Sequence, residues 1–167
     1  MKTNRIVLSL IAGAVFGLFA PATGQAQEMT EQDPETAAIA VVQGLFDAMR
    51  AGDSSAVSAV WAEGLTSLGS SFTSPDGPAT SFTPRDRFIS FVGQAEPGFL
   101  DEQFIVRDVI VEDNLVILVT PYELYVNGEF SHCGVDVFVI ARTGDDWQIV
   151  GLTDTRRREG CEGWLDE

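Results

Sequence analysis

The residue types that could carry chemistry crowd into residues 116–161, where Glu123, His132, Asp136, Asp154 and Arg156 sit among Phe, Leu and Val. Desolvation raises the pKa of a carboxylate in apolar surroundings and a neighbouring guanidinium lowers it; either shift can suit it to proton transfer. Asp136 is the candidate base. His132, the chain's only histidine, is the candidate partner acid, because an unperturbed imidazole titrates near neutrality. Glu123, Tyr125, Phe138, Asp154 and Arg156 are the candidate ligand-binding residues of a pocket for a small, mainly apolar molecule with a polar handle. Asp136, Asp154 and Arg156 would equally serve as an ion-pair network that fixes strand register without any catalysis.

One histidine and two cysteines do not supply a zinc set, and the chain has neither a glycine-rich phosphate loop nor a Gly-x-Ser-x-Gly elbow. No metal and no cofactor is expected. In an exported chain Cys133 and Cys161 read as one disulfide, which the loop-entropy model values at roughly 3 to 4 kcal/mol. The alternative is a reactive thiol beside His132, although neighbours on a strand point to opposite faces. That alternation also splits Arg156, Arg157 and Arg158, so they form no nucleic-acid stripe; they serve as counter-ions to acidic neighbours or as an anion site for a ligand carboxylate.

Two hairpins must position these residues. Asn127-Gly128 suits the positive φ angles of a tight turn, and Gly144-Asp145 marks a second, giving three consecutive antiparallel strands. A two-residue first turn places Glu123 opposite His132. Phe130, His132, Asp136 and Phe138 then share a face with Val119, Glu123 and Tyr125, and Cys133, Val135, Val137 and Val139 share the other with Leu118, Tyr122 and Leu124. Across the second hairpin Asp154 and Arg156 fall near Asp136 and Gly134, an arrangement that a one-residue slip would invert.

Upstream, Pro34-Glu35-Thr36 opens a helix with Ala38, Val41, Val42, Leu45, Phe46 and Met49 at helical spacing, ended by Gly52. Asp53 caps a second short helix carrying Val57, Val60 and Trp61. Residues 65–72 read as a short strand, and the Ser/Thr/Gly/Pro-rich residues 69–81 as a long loop that could overhang a pocket. Thr83 reads as the cap of a third helix, with Pro84 in its first turn and Phe88, Phe91 and Val92 as its buried stripe. The period changes to two from Phe104 onward, with strands over residues 104–111 and 115–126.

Lys2 and Arg5, an apolar run from Ile6 to Phe19, and small residues ending at Ala26 have the three parts of a secretory signal, and the run is short for a membrane span. The expected organisation is a signal at 1–26, a tail at 27–34, one domain at 35–161 and a C-terminal tail at 162–167, in a periplasmic or secreted protein. Acids outnumber bases 25 to 10, a formal charge of −15. Losing the signal removes Lys2 and Arg5 but no acid. Such a field repels phosphate backbones and anionic membrane surfaces, so neither nucleic acid nor membrane is an expected partner.

Helices followed by a meander describe an α+β domain whose antiparallel sheet curls around its helices. Residues 42–53 (VQGLFDAMRAGD), Gly134-Val135-Asp136-Val137-Phe138 and Asp146-Trp147-Gln148-Ile149-Val150 carry a resemblance to the nuclear transport factor 2-like superfamily, over about residues 35–161. The superfamily includes SnoaL-like cyclases and ketosteroid isomerases, and within it residues 132–136 and 154–161 resemble an exported bacterial subgroup of unassigned role. The resemblance implies a cone-shaped, cystatin-like fold with a conical pocket. It also implies three readings: ligand binding without turnover; a cofactor-independent isomerase, cyclase or dehydratase using Asp136 and His132; and a homodimeric interaction module. The isomerases combine a carboxylate base with Tyr and Asp donors, yet Tyr122 and Tyr125 fall on opposite faces of one strand, so the complete set is not matched.

Overall fold

The computed structural model describes residues 33–166; the expected signal and most of the expected tail lie outside them. Helix α1 spans Pro34–Ala51 and α2 spans Ser54–Ala59. Asp33 caps α1 by accepting from the Thr36 N–H, and Gly52 closes it in the left-handed region at φ 69°. A Cβ there would sit 2.6 Å from the Ala95 carbonyl oxygen, so this turn favours glycine twice over. Asp53 then caps α2 by accepting from the Ser55 and Ala56 N–H groups, as its position in the sequence predicts. The face of α1 bearing Val42, Leu45 and Phe46 is buried and packs on the sheet, each such side chain contributing about 1.5–3 kcal/mol.

Seven strands make one mixed sheet: β1 (Ser67–Ser74), β2 (Gly77–Pro84), β3 (Leu100–Phe104), β4 (Asp108–Glu112), β5 (Leu115–Val126), β6 (Glu129–Thr143) and β7 (Asp146–Arg156). Their order is β2-β1-β7-β6-β5-β3, with β4 also paired to β5. Helix α3 (Arg85–Val92) lies between β2 and β3. The α+β class with helices packed on a large curled sheet is as the sequence predicts, and both expected hairpin turns form. Asn127 and Gly128 have φ of 54° and 77°, and Thr143 pairs directly with Asp146.

Four local expectations are corrected. Residues 69–81 are no loop but most of the β1–β2 hairpin, turned at Pro75-Asp76 with the Ser74 hydroxyl donating to the Gly77 carbonyl at 2.9 Å. Its Ser and Thr side chains are mostly exposed, which erases the alternation that marks a strand, and the prolines Pro78 and Pro84 are tolerated because β2 is an edge. Thr83 and Pro84 stay in β2, so α3 starts at Arg85 without a side-chain cap, and Phe91 is exposed rather than part of a buried stripe. The strand expected over 104–111 forms only from Asp108 onward, as β4, while Phe104 ends the earlier strand β3; the two pair with different parts of β5.

The fourth correction matters most. The pairs Val126↔Glu129 and Tyr125↔Phe130 follow the two-residue turn, but a bulge then leaves Ser131 unmatched and shifts the register to Leu124↔His132 and Glu123↔Cys133. One extra residue exchanges the faces of everything beyond it. His132, Gly134, Asp136 and Phe138 therefore share the inner face with Leu124, Tyr122, Thr120 and Leu118. Glu123 is not opposite His132.

Candidate functional site

The inner face is apolar at one end and polar at the other. Leu118, Phe138 and Ile140 are fully buried beneath α1, with Phe46 edge-on to Phe138 at 6.0 Å. Beyond Phe138 the same face continues as a row running across four strands, Thr120↔Asp136↔Asp154↔Ser70. The expected Asp136–Asp154 pairing forms. Ser70 was not expected there; it arrives because β1 runs parallel beside β7.

A carboxyl that sequence reasoning missed completes the cluster. Glu102 on β3 pairs with Leu124, which pairs with His132, so it enters the inner face two rows away, beyond Tyr122↔Gly134. It is 9 % exposed and Asp136 only 3 %. The two carboxyls are hydrogen-bonded to each other, so one of them holds a proton. Burial first, and then the Glu102 and Asp154 charges, push Asp136 well above the usual carboxylate range. Burial pushes Glu102 up to about 7, opposed by its hydrogen bond from Asp136. The pair thus shares a proton near neutrality, burial holding both carboxyls above the ordinary range.

Arg50 on α1 holds β3 in place by donating to Asp101 at 2.6 Å, a bond that lowers the Asp101 pKa and raises that of Arg50. The alternation Leu100-x-Glu102-x-Phe104 was the one signal in the sequence for this strand and for its inward glutamate.

Arg156 donates to Asp154 through Nε at 2.9 Å, with Nη2 at 2.8 Å from the same oxygen. Tyr122 donates to the Thr155 carbonyl at 3.1 Å, and burial raises its phenol pKa, leaving it a fixed neutral donor. Gly134 lets this happen, because a Cβ there would overlap the Thr155 carbonyl oxygen and lie 2.9 Å from the Tyr122 ring. His132 has Nδ1 3.0 Å from the Ser131 hydroxyl and its ring edge-on to Tyr122. Burial, and then Arg156, push it down to about 4, so it is neutral at pH 7 rather than poised between forms.

These groups line neighbouring cavities that share residues. A deep chamber of about 70 Å³ is floored by Asp136 and Asp154 and walled by Leu45, Phe46 and Leu152. Glu102 and Arg156 also line a wider chamber of about 370 Å³ with Met49, Phe88, Leu100, Leu124 and Arg87. His132 and Arg156 separate this from a polar cavity of about 780 Å³ that also meets Ser70, Ser131 and Arg158. Asp136 Oδ2, Asp154 Oδ1 and Thr120 Oγ1 are buried and have no hydrogen-bond partner, an exception to the rule that buried polar atoms are satisfied.

Of the residues predicted for the pocket, Asp154 and Arg156 line it, Phe138 lies in the core behind it, and Glu123 and Tyr125 face outward. Tyr125 donates to Glu123 at 2.8 Å, and both border a separate cavity of about 320 Å³ near Cys161. Cys133 and Cys161 form the expected disulfide, and the chain after it is anchored by Trp164, whose Nε1 donates to the Gly134 carbonyl at 2.7 Å beneath the Arg157 guanidinium. Among the described residues no cluster of three or more His, Cys, Asp or Glu side chains is arranged to hold a metal ion.

This is the fold of nuclear transport factor 2-like, or cystatin-like, proteins. It is similar to that of an NTF-2-like protein of unknown function from Silicibacter pomeroyi DSS-3 (TM-score 0.57, 20 % identity over 74 % of this chain and 95 % of that one). It also matches an NTF-2-like protein of unknown function from Shewanella oneidensis MR-1 (TM-score 0.58, 16 % identity, 74 % of this chain and 99 % of that one). A domain of unknown function with a cystatin-like fold from Nostoc punctiforme PCC 73102 matches at TM-score 0.56 and 22 % identity, covering 80 % and 83 % of the two chains. At these identities the likeness establishes the fold and leaves the chemistry to the site. No family model and no curated protein sequence matches the chain.

Proposed function

We propose that this domain binds a small, mainly apolar molecule in its inner chambers, with one polar group of the ligand hydrogen-bonded to the Asp136–Glu102 pair. The observation that carries this reading is the unpartnered Asp136 Oδ2 and Asp154 Oδ1 in a space that Leu45, Phe46, Leu68, Phe88 and Leu152 also line. A buried polar atom left unpaired costs about 1–3 kcal/mol, and a ligand hydroxyl, which can donate to these oxygens, would recover it. The working compartment is an oxidising, extracytoplasmic one, in keeping with the Cys133–Cys161 bridge and the signal-like residues 1–26. Among the described residues no helix is long and apolar enough to cross a membrane. Native mass spectrometry of the mature protein from its exported fraction tests the reading: a retained small molecule, lost in Asp136→Leu, supports it. An empty protein that also takes up no apolar probe in calorimetry would count against it.

A second reading is favoured by Glu102 alone. A carboxylate that ionises near pH 7 beside a neutral aspartic acid is suited to move a proton between two carbons of a bound ligand, Glu102 taking it and Asp136 steadying the developing oxyanion. This is the isomerase, cyclase or dehydratase alternative with Glu102 in place of His132. Solvent deuterium incorporation into the identified ligand, lost in Glu102→Gln, is the expected outcome; a ligand recovered without deuterium would remove this reading and leave binding intact.

A further inference from the structure

The described residues of this acidic chain contain few arginines, and nearly all are engaged. Arg50, Arg85, Arg107 and Arg156 pair with carboxylates, Arg157 lies over Trp164, and Arg142 is also engaged. Arg87 and Arg158 alone have no ion pair, hydrogen bond or ring contact among the described residues. Both line the cavities: Arg87 the apolar chamber, Arg158 the polar one. With acids outnumbering bases 25 to 10, a guanidinium left without a carboxylate at a cavity mouth is a vacancy for an anion.

Resting on the apolar-molecule reading of these chambers and not on its contact with the Asp136–Glu102 pair, we infer that the ligand is an amphipathic monocarboxylate whose apolar body lies against Met49, Phe88, Leu100 and Leu124 and whose carboxylate is held by Arg87 at the chamber's opening. Arg87 is the cation of choice because it borders the apolar chamber itself, whereas the other guanidinium there, Arg156, is committed to Asp154. Arg87 is exposed, so the head group keeps part of its hydration and the ion pair need not repay full desolvation. A planar guanidinium matches a carboxylate in two-point geometry. A single charge fits better than two, because Asp154 and Glu102 line the same chamber and would repel a dianion.

The test is calorimetry on the mature protein at pH 8 with decanoate, its neutral counterpart decanol, and decyl phosphate. Decanoate should bind at least tenfold more tightly than decanol, and that preference should shrink as salt is raised. Arg87→Gln should bring the two within about threefold while leaving decanol affinity unchanged. Equal affinity for decanoate and decanol in the wild type, or tighter binding of decyl phosphate, would overturn the monocarboxylate assignment and leave the cavity reading standing. A preference that survives Arg87→Gln but vanishes in Arg158→Gln would overturn the choice of Arg87. If neither decanol nor decanoate binds, the cavity reading fails along with this inference.

Discussion

Two buried groups titrate in opposite senses over one pH window. Glu102 has its folded-state pKa raised to about 7 from 4.5, so its contribution is full below the unfolded value and is lost as pH rises toward 7. His132 has its folded-state pKa lowered to about 4 from 6.5, so its contribution is present above 6.5 and is lost as pH falls toward 4. Asp136, also pushed up by burial, adds to the Glu102 loss, so the two carboxyls outweigh the histidine and wild-type stability should fall as pH rises between 4.5 and 6.5. Substitution separates them. Relative to wild type, Glu102→Gln should gain stability as pH rises, by about 3 kcal/mol between pH 4.5 and 8. His132→Gln should lose stability over the same rise. Urea titrations at fixed pH values measure both; a Glu102→Gln difference that does not grow with pH would show that this carboxyl is not desolvated in solution. Glu102 also shows how residue-scale reading failed: an acid in an apolar slot of a short strand reads as surface, because only the neighbours supplied by β5 and β6 bury it.

At the scale of elements, the hairpin β5–β6 and the crossing of β7 set the site. Gly134 is the contact point, and Gly134→Ala should lower stability by about 2–4 kcal/mol, since the added methyl must displace the Thr155 carbonyl or the Tyr122 ring. Thermal unfolding checks the loss; a change below about 0.5 kcal/mol would mean that β7 shifts freely, in conflict with the tight packing of this crossing. Helix α2 is only six residues long and depends on its cap, so Asp53→Ala should cost about 1 kcal/mol, whereas Asp53→Ser should cost only a few tenths. Equal losses in both variants would show that the Asp53 carboxylate acts through something other than capping. The Gly52 and Asp53 caps, the buried stripe of α1 and both hairpin turns were legible in the sequence because each is a local conformational requirement. The β1–β2 hairpin was not, because its strands are mostly exposed and polar.

For the whole molecule, the disulfide links the middle of β6 to a segment 28 residues later, and Trp164 docks just beyond it. Reduction should cost about 3–4 kcal/mol, lowering the midpoint of thermal unfolding on the order of 10 °C. It should also red-shift the emission of Trp164 as that indole leaves the Gly134 carbonyl. An unchanged midpoint in reductant would show that the sheet and the Trp164 anchor hold the terminus without the bridge.

Length, charge, the cysteine pair, the extent of α1, the start of α2 and the two turns follow from the sequence because each depends on local chemistry or on composition. The nuclear transport factor 2-like fold followed from their order along the chain. Which carboxyls meet, and which face they occupy, did not. A single unmatched residue at Ser131 turns Glu123 and Tyr125 outward and His132 and Asp136 inward, and β3 brings Glu102 from 34 residues before Asp136 to share its proton. Strand register is settled by packing against α1 and across the whole sheet, so one bulge that satisfies the core overrides the simple alternation that local pattern can supply.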